Sequence, residues 1–597
     1  MDTLAILDYG GQYVHLIAKR IRALNVFSVI LDPDANLDAV PGLKGVILSG
    51  GPNSVYDPDA PPLNSQLLDP KLPVLGLCYG HHLMAHYWGG RVTPGATKEY
   101  GFAQLRVGEP VGVLEGLGAE EQVWMSHGDT VAELPSGFRP LASTADCPVA
   151  VMGDPERGLY GLQFHPEVTH TQHGLAMLDN FLRLCGCSRE WTMGNFVESA
   201  VADIRSQVGE RNVFLFVSGG VDSTVAFALC NRALGEERVL GVHIDNGFMR
   251  QHETHLVEQF LRAEGFTNLR VVDASERFLS AVAGVTDPQE KRRIIGRVFV
   301  DVRDEVITEL GLDPNHWMLG QGTLYPDIIE SGGTAHAAVI KTHHNRVDVI
   351  QELLARGMVV EPLSQLYKDE VREVGRNLRL PAPLLERHPF PGPGLSVRCL
   401  CSTGASDPVP PSVEAHVQEV AGRFGLRSHV LPVRSVGVQG DFRTYAHPAV
   451  LVGEVDWENL ERASTAITNE VREVNRVVLL LRPSELPPLE PHAATLTRER
   501  LDLLREADDL AMRALAESGE MGRLFQMPTI LLPLSAGEHG ECVVLRPMES
   551  TDVMTARFAA LKESMLQPLA DALMGLPGVE AIFYDITHKP PGTMEWE

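Results

Sequence analysis

The chain is 597 residues long, 44% hydrophobic and 22% charged, with a formal net charge of −27 at pH 7. That length predicts about four domains, or three larger ones, each able to bury a core. So negative a balance excludes broad nucleic-acid binding, because phosphate backbones are repelled over most of the surface and an anionic ligand needs a local positive site.

The N-terminal stretch Leu4 to Leu7 follows no basic segment, so it reads as a first strand and not as a leader. No window of about 18 uncharged apolar residues marks a membrane span. The eight cysteines are too dispersed for a disulfide framework and suit a reducing cytoplasm. Cys185 with Cys187 and Cys399 with Cys401 are close pairs, but neither has the second pair or His cluster of a zinc site.

Leu4 to Leu7, Val26 to Leu31, Val46 to Leu48 and Val74 to Leu77 are short apolar runs separated by turns or helical stretches. The alternation predicts an open α/β sheet whose ligands gather at the carboxyl ends of the strands. Ser49-Gly50-Gly51-Pro52 follows the third run and Cys78 the fourth. Gly76-Leu77-Cys78-Tyr79-Gly80 has the form of a nucleophile elbow, in which a sharp strand-to-helix turn presents the nucleophile at its tip. Read alone, Cys78 is more readily a buried structural thiol than a nucleophile. Downstream, His165 and Glu167 stand two residues apart at the end of another apolar run, as a base oriented by a carboxylate would.

These segments together resemble a class I, triad-type glutamine amidotransferase over the first ~190 residues. The resemblance implies that Cys78 is the nucleophile that forms a glutamyl thioester, His165 its base and Glu167 the orienter of that base. It implies an oxyanion hole from the backbone N–H groups of Gly51 and Tyr79. Ser126-His127-Gly128-Asp129 resembles the family's substrate-carrying turn, with Asp129 for the glutamine α-ammonium, and is otherwise a surface turn. One departure concerns Gly80-His81-His82, where relatives have Gly-Met-Gln. That Gln helps hold glutamine, so His82 occupies a glutamine-binding position with a different side chain.

Trp191 to Gln207 reads as a linking helix. It leads into Val213 to Val217, an unbroken apolar run that suits a strand covered on both faces, and then Ser218-Gly219-Gly220-Val221-Asp222-Ser223-Thr224. A strand ending in glycines and a helix N-terminus offers free N–H groups and the positive end of a dipole to an anion; the alternative is a plain βα turn. The stretch lacks the Walker lysine and the dinucleotide glycine spacing. It resembles the loop of the ATP pyrophosphatase family, which implies that residues 218–224 bind the ATP β- and γ-phosphates while a substrate oxygen is adenylated. Val239 to Asp245 and Leu269 to Val272 continue as parallel strands of a second doubly wound sheet.

Lys291-Arg292-Arg293 begins an amphipathic segment running to Leu310, and is either a solvated helix start or an anion site. Leu319 to Asp327 and Ile340 to Asn345 read as loops rich in Gly and polar residues, both similar to segments of GMP synthetases. Adenylation requires charge neutralisation on the leaving pyrophosphate, for which Lys341 is the candidate beside Mg2+. No residue is assigned to the metal. Asn345-Arg346-Val347-Asp348 departs from the Val-Gly-Gly-Leu of many relatives, which bears on a lid there.

Arg387 to Leu395 is a Pro/Gly run that reads as a shaped connection. Val433 to Val438, Thr529 to Leu532, Val543 to Leu545 and Ala581 to Ile586 read as strands, with helices near Arg498 to Glu517 and Ser564 to Met574, which predicts an α+β domain. Val438 to Asp441, Gln526 to Pro528 and the segment from Tyr584 to Glu597 resemble XMP-binding elements of the GMP synthetase family. That resemblance spans essentially the whole chain. It implies that Arg292 and Lys589 face the nucleotide phosphate and that Asp441, Gln526 and Glu595 hold its sugar and base. It also implies the longer form of the last domain, with two similar halves that bury within one chain the surface short forms use to dimerise, hence a monomer or a homodimer.

The expectation is therefore an α/β protein of two doubly wound, mostly parallel sheet domains and an α+β C-terminal domain, divided 1–188, 189–398 and 399–597. Its substrates would be glutamine, ATP and XMP in a cytoplasmic setting. Two alternatives stay open: an amidotransferase with another acceptor, such as deamido-NAD or a tRNA, and a non-catalytic nucleotide-binding scaffold.

Overall fold

A computed structural model of the chain describes residues 1–312, 316–330, 356, 358–405, 408–439, 442–537, 539–550 and 555–597. It divides into two compact units. One comprises residues 1–203 with 323–342 and 363–377, and the other comprises 204–322, 343–362 and 378–597.

The first unit is built on a nine-stranded sheet. In chain order its main elements are β1 (Thr3–Leu7), α1 (Val14–Ala23), β2 (Phe27–Leu31), β3 (Leu43–Leu48), β4 (Val74–Leu77), α2 (Tyr79–Tyr87), β5 (Arg91–Val107), β6 (Glu120–Glu133), β7 (Arg139–Ser143), β8 (Val151–Asp154), β9 (Leu159–Leu162) and α3 (Gly174–Leu184). The strand order is β2-β1-β3-β4-β9-β8-β7-β5-β6. The stretch from β2 to β9 pairs in parallel, and the remainder continues antiparallel. β1 is buried throughout: Leu4 and Ile6 join the core under α1 and α3, and Ala5 and Leu7 join the core that includes residues of α2. Burial on both faces is why the strand reads as an uninterrupted apolar run.

Two later stretches of chain complete this unit. Arg22 on α1 donates to Glu370 Oε2 at 2.9 Å and to the Gln365 carbonyl at 2.5 Å. Its guanidinium lies 4.7 Å from the ring centre of Tyr325 and 4.8 Å from that of Tyr367. The Tyr325 hydroxyl accepts from the Ile30 backbone N–H.

α4 (Met193–Val208), the predicted linking helix, belongs to the first unit up to Asp203 and to the second from Ile204. The first sheet of the second unit contains β10 (Asn212–Phe216), β11 (Val239–Asp245), β12 (Leu269–Asp273), β13 (Trp317–Gly320) and β14 (Val359–Val360). The order β12-β11-β10-β13-β14 is parallel throughout. β10 lies where the connections reverse, with β11 on one side and β13 on the other, so the turn after it opens at the switch point of a doubly wound sheet. That turn leads into α5 (Val221–Leu234).

The last ~190 residues build a seven-stranded sheet from two halves with one order of elements. In the first half, helix Pro411–Gly422, strands Arg427–Val430 and Phe442–Val452, helix Trp457–Glu470 and strand Val474–Arg482 follow one another. In the second, helix Arg498–Ser518, strands Thr529–Leu532 and Glu541–Leu545, helix Glu563–Met574 and strand Val579–Asp585 repeat the pattern. The halves join antiparallel through Val474–Arg482 and Val579–Asp585. This is the expected pair of similar halves, and each supplies an edge the other covers.

Two expectations of local structure change. Ser126 to Asp129 lie inside β6 and not in a turn, because β5 pairs with them across a shift in register between Pro94 and Glu99. The stretch Leu319 to Asp327, expected as a loop, begins inside β13 and ends in a helix over Tyr325–Glu330. Among the described residues no helix is long and apolar enough to cross a membrane.

Candidate active sites

Cys78 sits between β4 and α2 with φ 50° and ψ −102°, a left-handed backbone that a side chain adopts only where the surroundings hold it. The flanking glycines allow the tight packing of this elbow. A Cβ on Gly80 would lie 2.4 Å from the Leu48 carbonyl oxygen, and one on Gly76 would lie 2.5 Å from the Gly80 carbonyl oxygen. Gly50 faces the same point, since a Cβ there would lie 3.6 Å from the His165 ring and 3.7 Å from the Cys78 Cβ.

β9 ends beside β4 and carries the chain into Gln163, His165 and Glu167. His165 Nδ1 lies 2.7 Å from Glu167 Oε1, and Glu167 is 1% exposed. Burial depresses the His165 imidazole, but hydrogen bonds with Cys78 and Glu167 and the charges of both outweigh it and push the ring up to about 10. Thiol, imidazole and carboxylate therefore stand in the sequence Cys78, His165, Glu167.

Residues outside the predicted set hold this triad. The Tyr13 ring meets His165 edge-on at 5.1 Å, Arg20 Nε donates to the Glu167 carbonyl at 2.9 Å, and Thr171 Oγ1 donates to the His165 carbonyl at 2.6 Å. The Cys78 thiol lies 3.5 Å from the Ser126 carbonyl. Tyr79 opens α2 at its N-terminus, where backbone N–H groups are unpaired within the helix. His127 does not join the substrate side: its ring nitrogens face the Asp129 carbonyl at 2.9 Å and Glu99 at 3.0 Å. Asp129 is half-buried in β6, and the His82 ring is buried.

In the second unit, Gly219 has φ 82°. The Ser218 and Ser223 hydroxyls lie 3.1 Å apart, and the Gly220 N–H donates to Ser218 Oγ at 3.3 Å, closing the turn. Gly322 comes so near the start of α5 that a Cβ would stand 3.1 Å from the Asp222 carbonyl carbon. That close approach places the Gly320-Gln321-Gly322 stretch over residues 222–223. His243, fully buried on β11, bonds the Val217 carbonyl at 2.7 Å, and Arg387 Nη1 donates to the Gly219 carbonyl at 3.0 Å. Neither residue is in the predicted set.

The C-terminal elements also converge. The Val438 N–H donates to the Pro591 carbonyl at 2.7 Å and Val436 N–H to the Trp596 carbonyl at 2.9 Å, laying the tail along the strand that precedes Asp441. Glu595 receives two hydrogen bonds from Arg398, at 3.0 and 3.1 Å, and Arg398 is fully buried. Met548 and Phe558 link Gln526 to the strand pair in which Ala556 N–H and Lys589 N–H exchange bonds with each other's carbonyls. The basic triplet splits three ways on α8 (Pro288–Glu309): Lys291 is fully buried against Glu597 Oε2 at 2.5 Å, Arg292 donates to the Glu597 carbonyl, and Arg293 pairs with Glu290 at the surface. Lys341, Asp441 and the Asn345-Arg346 stretch lie outside the described residues.

Fold and sites together define a class: a triad-type glutamine amidotransferase joined to an ATP pyrophosphatase-type domain. The family model for Glutamine amidotransferase class-I matches residues 5–185, that for NAD synthase residues 193–282, and that for the GMP synthase C terminal domain residues 517–596. A Leptospira interrogans protein named Probable GMP synthase (glutamine-hydrolyzing) is 42% identical over 601 residues, covering 100% of this chain and 99% of its own. GMP synthases (glutamine-hydrolyzing) of Thermobifida fusca and Streptomyces coelicolor are each 45% identical over 80% of this chain, covering 96% and 95% of their own. The chain belongs to the glutamine-hydrolysing GMP synthase family, and is an enzyme of glutamine-dependent GMP synthesis that uses ATP.

Proposed function

We propose that this enzyme works in three regions, 1–188 hydrolysing glutamine, 189–398 activating the acceptor with ATP and 399–597 completing the XMP site. The observation that carries the first step is the His165–Glu167 pair at 2.7 Å, with Cys78 on the strained elbow close enough to raise the imidazole. The Cys78 thiolate attacks the glutamine carboxamide, His165 protonates the departing nitrogen, and water then cleaves the glutamyl thioester with His165 as base. The N–H groups of Gly51 and Tyr79 face the developing oxyanion, while Asp129 lines the glutamine side and His82, which the resemblance puts there too, is buried against Gln163.

Residues 218–224 and Lys341 cradle the ATP phosphates, and the C2 oxygen of XMP attacks the α-phosphate. Ammonia displaces AMP from the adenylated purine, giving GMP, AMP, pyrophosphate and glutamate. Arg292 and Lys589 meet the XMP phosphate, and Asp441, Gln526 and Glu595 its sugar and base. The bidentate hold of Arg398 on Glu595 supports this role, because it aims a carboxylate that would otherwise turn freely. Magnesium prefers hard oxygen ligands with substrate phosphates completing its shell, and Asp222, at the head of α5 beside the loop, supplies a carboxylate of that kind. When bound it would offset charge on the leaving pyrophosphate. The closed internal pairing of the two C-terminal halves favours a monomer over a homodimer.

The test is XMP-dependent pyrophosphate release, run with glutamine and then with an ammonium salt, with deamido-NAD as the competing acceptor. Both nitrogen sources should support release with XMP alone. Asp222→Ala should remove both; product formation by that variant from ammonium would refute the loop assignment, and release with deamido-NAD would refute the acceptor.

A further inference from the structure

The resemblance implies a substrate-holding glutamine at the position of His82, yet the His82 ring is only 5% exposed and lies against a different partner. Nε2 of His82 is 2.7 Å from Oε1 of Gln163, and Nε2 of the same Gln163 amide is 3.9 Å from the Cys78 sulfur. Gln163 is fully buried. The amide has two opposite ends: its N–H group stabilises a thiolate, and its oxygen would repel one. Whichever neighbour holds the oxygen thus decides which end the sulfur meets.

We propose that His82 is a positioning residue for the nucleophile, its ring N–H holding the Gln163 oxygen so that the Gln163 amide N–H faces Cys78. This rests on the glutaminase reading of Cys78 and deepens it. Backbone geometry supports it: the His82 N–H donates to the Cys78 carbonyl at 3.2 Å, so ring and nucleophile are one helical turn apart on α2 and move together. His81 lies beside the ring, with Asp129 and His127 of β6 acting on it electrostatically. His165 also acts on Cys78. Burial lowers the His82 imidazole to about 4, so the ring is neutral and carries one proton; the Asp129 backbone also hydrogen-bonds the ring, and we place that proton on Nε2, facing the Gln163 oxygen 2.7 Å away.

The test compares the full-length wild type with His82→Phe, which keeps the ring shape without a donor, and His82→Gln, which restores one. Two quantities are read: iodoacetamide alkylation of Cys78 as a function of pH, followed on its own peptide, and kcat and KM for glutamate release. In His82→Phe the alkylation profile should move to higher pH and kcat should fall about 10-fold while KM changes less than about 2-fold, the loss expected for one N–H donor to a charged sulfur. His82→Gln should return most of both. An unmoved profile with only KM raised, or a Gln variant no better than Phe, overturns the proposal. Should the Phe variant not fold, Gln163→Leu is read in its place: the same displacement supports the proposal and an unmoved profile overturns it. A wild type that releases no glutamate would bring down the glutaminase reading itself, whereas an active wild type with indistinguishable variants brings down this proposal alone.

Discussion

Arg387 Nη1 lies 3.0 Å from the carbonyl oxygen of Gly219 and 3.1 Å from Glu253 Oε1. The Pro/Gly run therefore does more than connect: its first residue ties down the peptide of Gly219, whose φ is positive. A guanidinium shared between a carbonyl and a carboxylate sets the direction in which the adjacent N–H groups point.

Arg387→Ala should lower pyrophosphate release about 10- to 100-fold, because a charge-assisted hydrogen bond contributes about 1.5–3 kcal/mol. The loss should be equal with glutamine and with ammonium, since it falls on the ATP side. XMP-dependent pyrophosphate assays check it, and rates within about 2-fold of wild type would show that the loop holds its shape without Arg387.

Cys78→Ala should reduce glutamine-driven GMP formation at least about 1000-fold while ammonium-driven formation stays within about 3-fold of wild type. Steady-state assays with each nitrogen source decide it. Loss of both activities would count against separate sites.

The histidines of the first unit predict a stability window. His82 is depressed from 6.5 to about 4 and His81 well below 6.5, both chiefly by burial. Between pH 6.5 and 4 the unfolded chain takes up protons that these folded rings refuse, so stability falls as pH falls. His82 alone is worth about 3 kcal/mol over that span. His165 is raised to about 10, so its contribution is complete below 6.5 and is lost as pH rises through about 10. Melting of the first unit followed across pH should peak near neutrality, and His82→Phe should flatten the acid limb. An acid limb unchanged in that variant would remove His82 as its cause.

Arg22→Ala should free Tyr325 and Glu370 together. The Arg22 side chain is 2% and the Glu370 side chain 12% exposed, and Glu370 also accepts from Trp191 Nε1 at 2.7 Å. Removing one partner of a buried pair costs about 3–5 kcal/mol. Hydrogen exchange should rise in Tyr325–Glu330 and Lys368–Asn377 before it rises in β1 and β3. Uniform exchange across the unit would show that these segments are not held through α1.

The leading strands of the two sheets were legible because burial leaves uninterrupted apolar runs, as in β1 and β10, whereas β13, whose last residues were expected in a loop, and the two-residue β14 are too short to carry such a run. The elbow at Cys78 and the loop at Gly219 were legible because each requires glycine at set places. One further signal lies in the chain: Lys291 falls on the stripe of Ile295, Val298, Val302 and Val306, the buried face of α8, while Arg293 does not. The long β5–β6 pair escaped because strands with one exposed face and a register shift carry no continuous run.

By itself, then, the order of residues determined most of the elements, the strand-to-helix elbow that carries Cys78, and the glycine turn after β10, since each depends on neighbours within a few positions. Tertiary structure alone decided which end of the Gln163 amide meets Cys78, that Arg387 grips Gly219, that Arg398 aims Glu595, and that α1 collects segments over 300 residues away through Arg22. A side chain's direction and protonation are set by whatever surrounds it in three dimensions, and those partners lie far off along the chain.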